Sequence, residues 1–153
     1  MLANKDFYLK SSIFGAGLGI GFGILIGALT GILSANWNGI LFGAVAGFIL
    51  GAPTGALTSA LVVWTAGHTG GVSAGAYTGM VFGAIFGGIL GIFVPDSFRA
   101  SVGSLRILVL DVLTQGRFET AVLLSFLVSI TATMVGAWIG GRNLKPRDLT
   151  KTS

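Results

Sequence analysis

The run Gly79-Met80-Val81-Phe82-Gly83-Ala84-Ile85-Phe86-Gly87-Gly88-Ile89-Leu90-Gly91 places glycine at every fourth position, with Phe-Gly near its start. The same spacing occurs at Gly19, Phe22, Gly23, Gly27 and Gly31, and again at Gly39, Phe42, Gly43, Gly47 and Gly51. This is an internal repeat. In water each glycine would cost a helix about 1 kcal/mol relative to alanine. Within an apolar run the inference reverses, because small residues at i, i+4 and i+8 leave a shallow groove along which a second helix backbone can approach closely. The three repeats therefore predict helices that pack in a membrane through small-xxx-small, glycine-zipper ridges.

Composition supports that reading. Of 153 residues, 53% are hydrophobic and only 9% charged, and mean hydropathy is +0.90. No Asp, Glu, Lys or Arg lies between Lys10 and Asp96, and a soluble fold could not keep so long a tract from water. A flexible Gly/Ser linker is excluded by the interleaved Ile, Leu, Val and Phe. Most of the 26 glycines thus belong to spans. Without cysteine the chain has no disulfide and no thiolate ligand or nucleophile. Its basic termini lack the aromatic interleaving of a nucleic-acid surface, so no nucleic-acid partner is expected.

Along the chain, Met1 to Ser12 reads as a polar leader before a first span over about 13–33. That apolar run exceeds the roughly 7–15 residues of a signal-peptide core. Its Gly17 and Gly21 lie about 160° from Gly15 and Gly19, on a second small-residue patch. A second span covers about 39–66, with Trp37 and Trp64 as interfacial anchors at its ends. Pro53 should kink it, with Thr54 or Thr58 satisfying a freed carbonyl; a re-entrant pair of half-helices is the alternative. A third span covers about 74–94 and is ended by Pro95. Residues 97–118 carry Arg99, Arg106 and Asp111 within an apolar pattern, which predicts one amphipathic helix in the interface, its arginine stems reaching towards water. The fourth span, about 120–141, repeats the ridge in other small residues: Ala121, Ser125, Ser129, Thr133, Ala137 and Gly141. Trp138 marks its interface, and 142–153 forms a basic tail.

The expected fold class is therefore an all-α polytopic membrane domain of four spans plus an interfacial helix. Four spans put both termini on one side, which holds six of the nine basic residues. The positive-inside rule makes that side cytoplasmic, in a bacterial inner membrane or an organellar membrane. The expected packing residues are Gly19, Gly23, Gly27, Gly31, Gly39, Gly43, Gly47, Gly51, Gly79, Gly83, Gly87, Gly91, Ser125 and Ser129.

Sites of chemistry are sparse. His68 is the single histidine, and it is a weak candidate axial ligand for a metal or a pigment. Ser73, Ser125 and Ser129 have no base in their own spans. Asp96, Asp111 and Glu119 read as solvated, capping or ion-paired carboxylates. No intramembrane ionisable group is present to relay protons or bind a charged substrate. The spacing of small residues is similar to that of small four-span glycine-zipper proteins, translocase subunits among them; that spacing is the whole of the likeness and implies no activity. The expectation is a non-catalytic scaffold or accessory subunit without cofactor, whose partners are the bilayer and other membrane subunits or further copies. The alternatives are a channel or permease for a neutral or lipidic solute, and a pigment-binding subunit.

Overall fold

The computed structural model describes residues 2–33, 37–66, 71–102 and 108–142. Six helices follow in order: α1 (Leu2–Ile32), α2 (Trp37–Ala66), α3 (Val72–Phe93), α4 (Asp96–Val102), α5 (Leu108–Gln115) and α6 (Arg117–Gly141). Four of them are long and apolar enough to cross a membrane: α1 over Tyr8–Ile32, α2 over Trp37–Thr65, and the whole of α3 and α6. Among the described residues the chain is thus all-helical with four candidate spans, which suggest an integral membrane protein. Apolar side chains cover their outer faces; Ile13, Leu29, Ile49, Ile85 and Phe126 are all exposed, a distribution that suits hydrocarbon and not water.

Two antiparallel pairs dominate the packing, α1 with α2 and α3 with α6, while contact between the pairs is sparser. The pairs meet through a cluster of Val62, Val63, Val135 and Ile139, against which Tyr8, Leu18 and Phe22 pack. Phe22 also meets the ring of Trp138 edge-on at 6.4 Å. At the same end, the Arg142 guanidinium lies 4.5 Å above the Phe14 ring, a cation–π contact between the end of α6 and the first half of α1. The start of the first span and the end of the last therefore share one end of the molecule.

Several boundaries differ from those read in the sequence. The polar leader is not separate from the first span: α1 begins at Leu2 and runs through it without a break. At Pro53 the single span read in the sequence stands and its re-entrant alternative does not: α2 is one helix from Trp37 to Ala66, with the proline on an exposed face. The Thr54 hydroxyl donates to the Leu50 carbonyl at 2.7 Å. The carbonyl deprived of its donor by Pro53 is that of Ile49, four residues before it, so Thr54 serves its neighbour instead. Thr58 is fully buried and its hydroxyl has no hydrogen-bond partner.

In place of one interfacial helix over 97–118 there are two short helices, α4 and α5, and Arg117 and Phe118 already belong to α6. Gly116, with fully extended backbone at φ −174° and ψ 171°, makes the break before α6. Leu110 of α5 is buried against Val102 of α4, and Phe42 of α2 packs on the pair, so these helices are fastened to the bundle. Arg99 does not reach for water either. It is 8% exposed, and its Nη2 donates to the Gly91 carbonyl at 3.0 Å, which places a cation on one of the unpaired carbonyls at the C-terminal end of α3. Asp96 lies 4.0 Å from Arg99 Nε and 3.3 Å from Arg117 Nη2, drawing the starts of α4 and α6 together. Arg99→Met removes that donor while keeping the side chain's bulk, and should cost about 1–3 kcal/mol, the penalty of a buried acceptor left unpaired. Thermal unfolding in detergent checks it; a variant as stable as the parent would deny Arg99 this capping role.

Candidate functional site

The glycine repeats of α1 and α2 face one another level by level. A Cβ added at Gly27 would overlap the Gly43 carbonyl, and one added at Gly43 would overlap that of Gly27; Gly23 with Gly47 and Gly19 with Gly51 behave the same way. A Cβ at Gly31 would overlap the backbone of Gly39, and one at Gly55 the backbone of Gly15 and Gly19. Each four-residue step down α1 is thus matched by a four-residue step up α2. A four-residue step turns the ridge about 40° around the helix, so helices that stay in contact over five levels must wrap around each other. The space each missing side chain would fill holds a glycine hydrogen aimed at a carbonyl across the interface, a weak Cα–H···O contact worth about 0.5–1 kcal/mol.

Against α6, the glycines of α3 lie over a seam between two rows of residues. Added Cβ atoms at Gly91, Gly83 and Gly87 would come closer than 3.0 Å to the Cα atoms of Ala121, Ser129 and Ser125, while those at Gly79 and Gly75 would overlap the carbonyls of Ala132 and Gly136. Ser125 and Ser129 do more than leave room. Their hydroxyls donate across the interface to the carbonyls of Ala84 at 2.7 Å and Met80 at 3.0 Å. Beyond Ser129 the expected ridge departs from the observed one. Gly136 and Gly140 are buried, whereas Ala137 is only half-buried and Gly141 is exposed; Thr133 turns its hydroxyl to the Ser129 carbonyl of its own helix. The ridge's rotation carries the later residues off the contact. Gly136 and Gly140 were themselves a four-residue glycine pair in the sequence, and that signal was available.

Some small residues face nothing. Cβ atoms at Gly17, Gly21 and Gly88 would find no heavy atom within 4 Å. Trp37 and Trp64 are exposed at opposite ends of α2, and Trp138 is half-exposed near the end of α6. Near the Phe14–Arg142 end, Ser59 donates to the Ser11 carbonyl at 2.7 Å, and the two hydroxyls also lie 2.7 Å apart, tying α1 to α2 with buried polar groups.

A cavity of about 100 Å³, partly open at its side, lies where the two pairs meet, bounded by α1, α2, α5 and α6. Ile26, Ala46, Leu50, Leu113 and Leu127 supply much of its wall. Three hydroxyls also line it, and all are committed to carbonyls of their own helices: Thr30 to Gly27, Thr54 to Leu50 and Thr131 to Leu127, at 2.7, 2.7 and 3.1 Å. These threonines therefore turn their methyl groups and no donor to the cavity.

His68 lies outside the described residues. Among those described, no three His, Asp or Glu side chains gather as a metal site would require. Asp96 is ion-paired, while Asp111 and Glu119 are exposed on α5 and α6. Comparison of this chain with protein-family models, with curated proteins and with solved structures finds no match.

Proposed function

We propose that this chain is a non-catalytic integral membrane subunit, built by glycine-zipper packing into two helix pairs, that works within a larger membrane assembly or homo-oligomer. The observation that carries the reading is Gly17 and Gly21. Most of the other span glycines press against backbone within the chain, while these two leave a bare, exposed stretch on the outer side of α1, of the kind on which a further transmembrane helix packs. The exposed apolar faces and the lack of charge inside the spans agree with it. The termini lie on the cytoplasmic-type side, in a bacterial inner membrane or an organellar membrane, supported by the basic residues at both ends and by the Phe14–Arg142 contact.

Gly17→Leu and Gly21→Leu test this cleanly, because leucine has open space at both positions and suits a helix better than glycine. Both variants should fold as the parent does, yet lose the partner chains or copies that co-purify in mild detergent. An unchanged assembly size in both would remove the ground for this reading. A second reading, a site or path for a lipidic solute, is favoured by the apolar cavity, and solute flux into proteoliposomes is its direct measure.

A further inference from the structure

We infer that the cavity between the two helix pairs holds a segment of a single lipid acyl chain. It is bounded by Gly23–Gly31 of α1, Gly39–Thr54 of α2 and Leu124–Thr131 of α6, stretches that run from the middle of these spans to the end where α1 gives way to α2, so the medium beside its inner part is hydrocarbon. Water is a poor occupant. A buried water needs two to four polar partners, and the hydroxyls of Thr30, Thr54 and Thr131 already donate to their own helices. Another protein helix is far too wide, being about 10 Å across with its side chains. An empty space is disfavoured too, since wall atoms facing a void lose their dispersion contacts. A methylene chain is narrow, flexible and without polar atoms, and it is the abundant molecule at that depth.

The α5 wall sets the shape of the site. Val109, Leu110 and Leu113 of α5 close one side, and Leu110 is only 3% exposed. Among the described residues no charged side chain lines the cavity, so recognition rests on the acyl chain and is indifferent to the headgroup. The inference is independent of the assembly reading, because Gly17 and Gly21 do not line this space.

The test uses the full-length protein in phosphatidylcholine nanodiscs doped with a phosphatidylcholine that carries a diazirine on one acyl chain. After illumination, peptide mass spectrometry should find label at Ile26, Ala46 and Leu127 in about tenfold excess over the outward-facing Ile85 and Ile89. Ala46→Phe, which fills the cavity, should remove that excess and leave label at Ile85 unchanged. If this variant fails to fold, Leu113→Ala, which enlarges the same space, should raise the label on Ala46. Replacing the probe by a phosphatidylglycerol of the same chain should change nothing. Three outcomes would overturn the inference: label spread evenly over the outer faces, an excess insensitive to both substitutions, or an excess that demands one headgroup. Uptake of xenon or benzene without acyl label would likewise assign the cavity to small apolar molecules and refute the lipid.

Discussion

Gly43→Leu is expected to break the α1–α2 pair. The first carbon of the new side chain would already overlap the Gly27 carbonyl, with the Gly27 carbonyl carbon 2.8 Å away. Those atoms are helix backbone, held by their own hydrogen bonds, and they cannot turn aside as a flexible side chain would. The helices must separate, and the close approach at the four neighbouring levels is lost with the one that clashes. Overpacking of this kind costs on the order of 3 kcal/mol or more, a large part of the roughly 5–15 kcal/mol by which folded domains are stable. In detergent the melting temperature should fall by about 10 °C, or the variant should elute as aggregate. Gly43→Ala should move the same way by less, since its single carbon meets the same carbonyl. Gly21→Leu is the internal control, with open space around it. Equal melting temperatures for Gly43→Leu and the parent would mean that these backbones do not touch.

Gly136→Leu should do to the α3–α6 pair what Gly43→Leu does to the first, with a loss of similar size, about 3 kcal/mol. A Cβ there would overlap the Gly75 carbonyl and stand 3.4 Å from the Gly79 Cα. Ala137→Leu, one position along, is the informative comparison. Ala137 belongs to the every-fourth-residue row that starts at Ala121, yet it is only half-buried, whereas Gly136 is buried. Thermal unfolding should therefore rank Gly136→Leu well below Ala137→Leu. The reverse ranking would place α3 on the row of Thr133, Ala137 and Gly141 and contradict the observed seam.

Much of this architecture was legible in the chain. The four apolar stretches are each long enough for a bilayer core, the first three separated by short polar turns and the fourth set apart by the charged stretch 97–118, so their number and approximate limits follow from composition alone. The repeats around Gly23, Gly43 and Gly83 also marked which side of each helix would lie closest to another backbone, because glycine in an apolar helix has few other uses. Less was legible where one residue serves two environments. Arg99 looked like an interfacial arginine; only the proximity of the end of α3 turns it inward onto the Gly91 carbonyl. The stretch 97–118 carried an amphipathic pattern, but its break at Gly116 depends on how the chain must turn to enter α6. A strict step of four from Ala121 runs to Ala137 and misses Gly136 and Gly140, because periodicity cannot tell which of two adjacent rows a partner helix will face.

The sequence by itself thus determined that four stretches are long and apolar enough to span a membrane, that their interiors are uncharged, and that each carries small residues every four positions. Those are local properties, set by residue type and the helical period. Only the tertiary structure decided which bare sides meet: α1 with α2, α3 with α6, and Gly17 and Gly21 with nothing. The same holds for the cavity, whose walls come from four separate helices. Glycine ridges are nearly interchangeable as surfaces, so the choice of partner rests on loop length, register and the few bulky side chains between the pairs, and these act only once the helices are assembled.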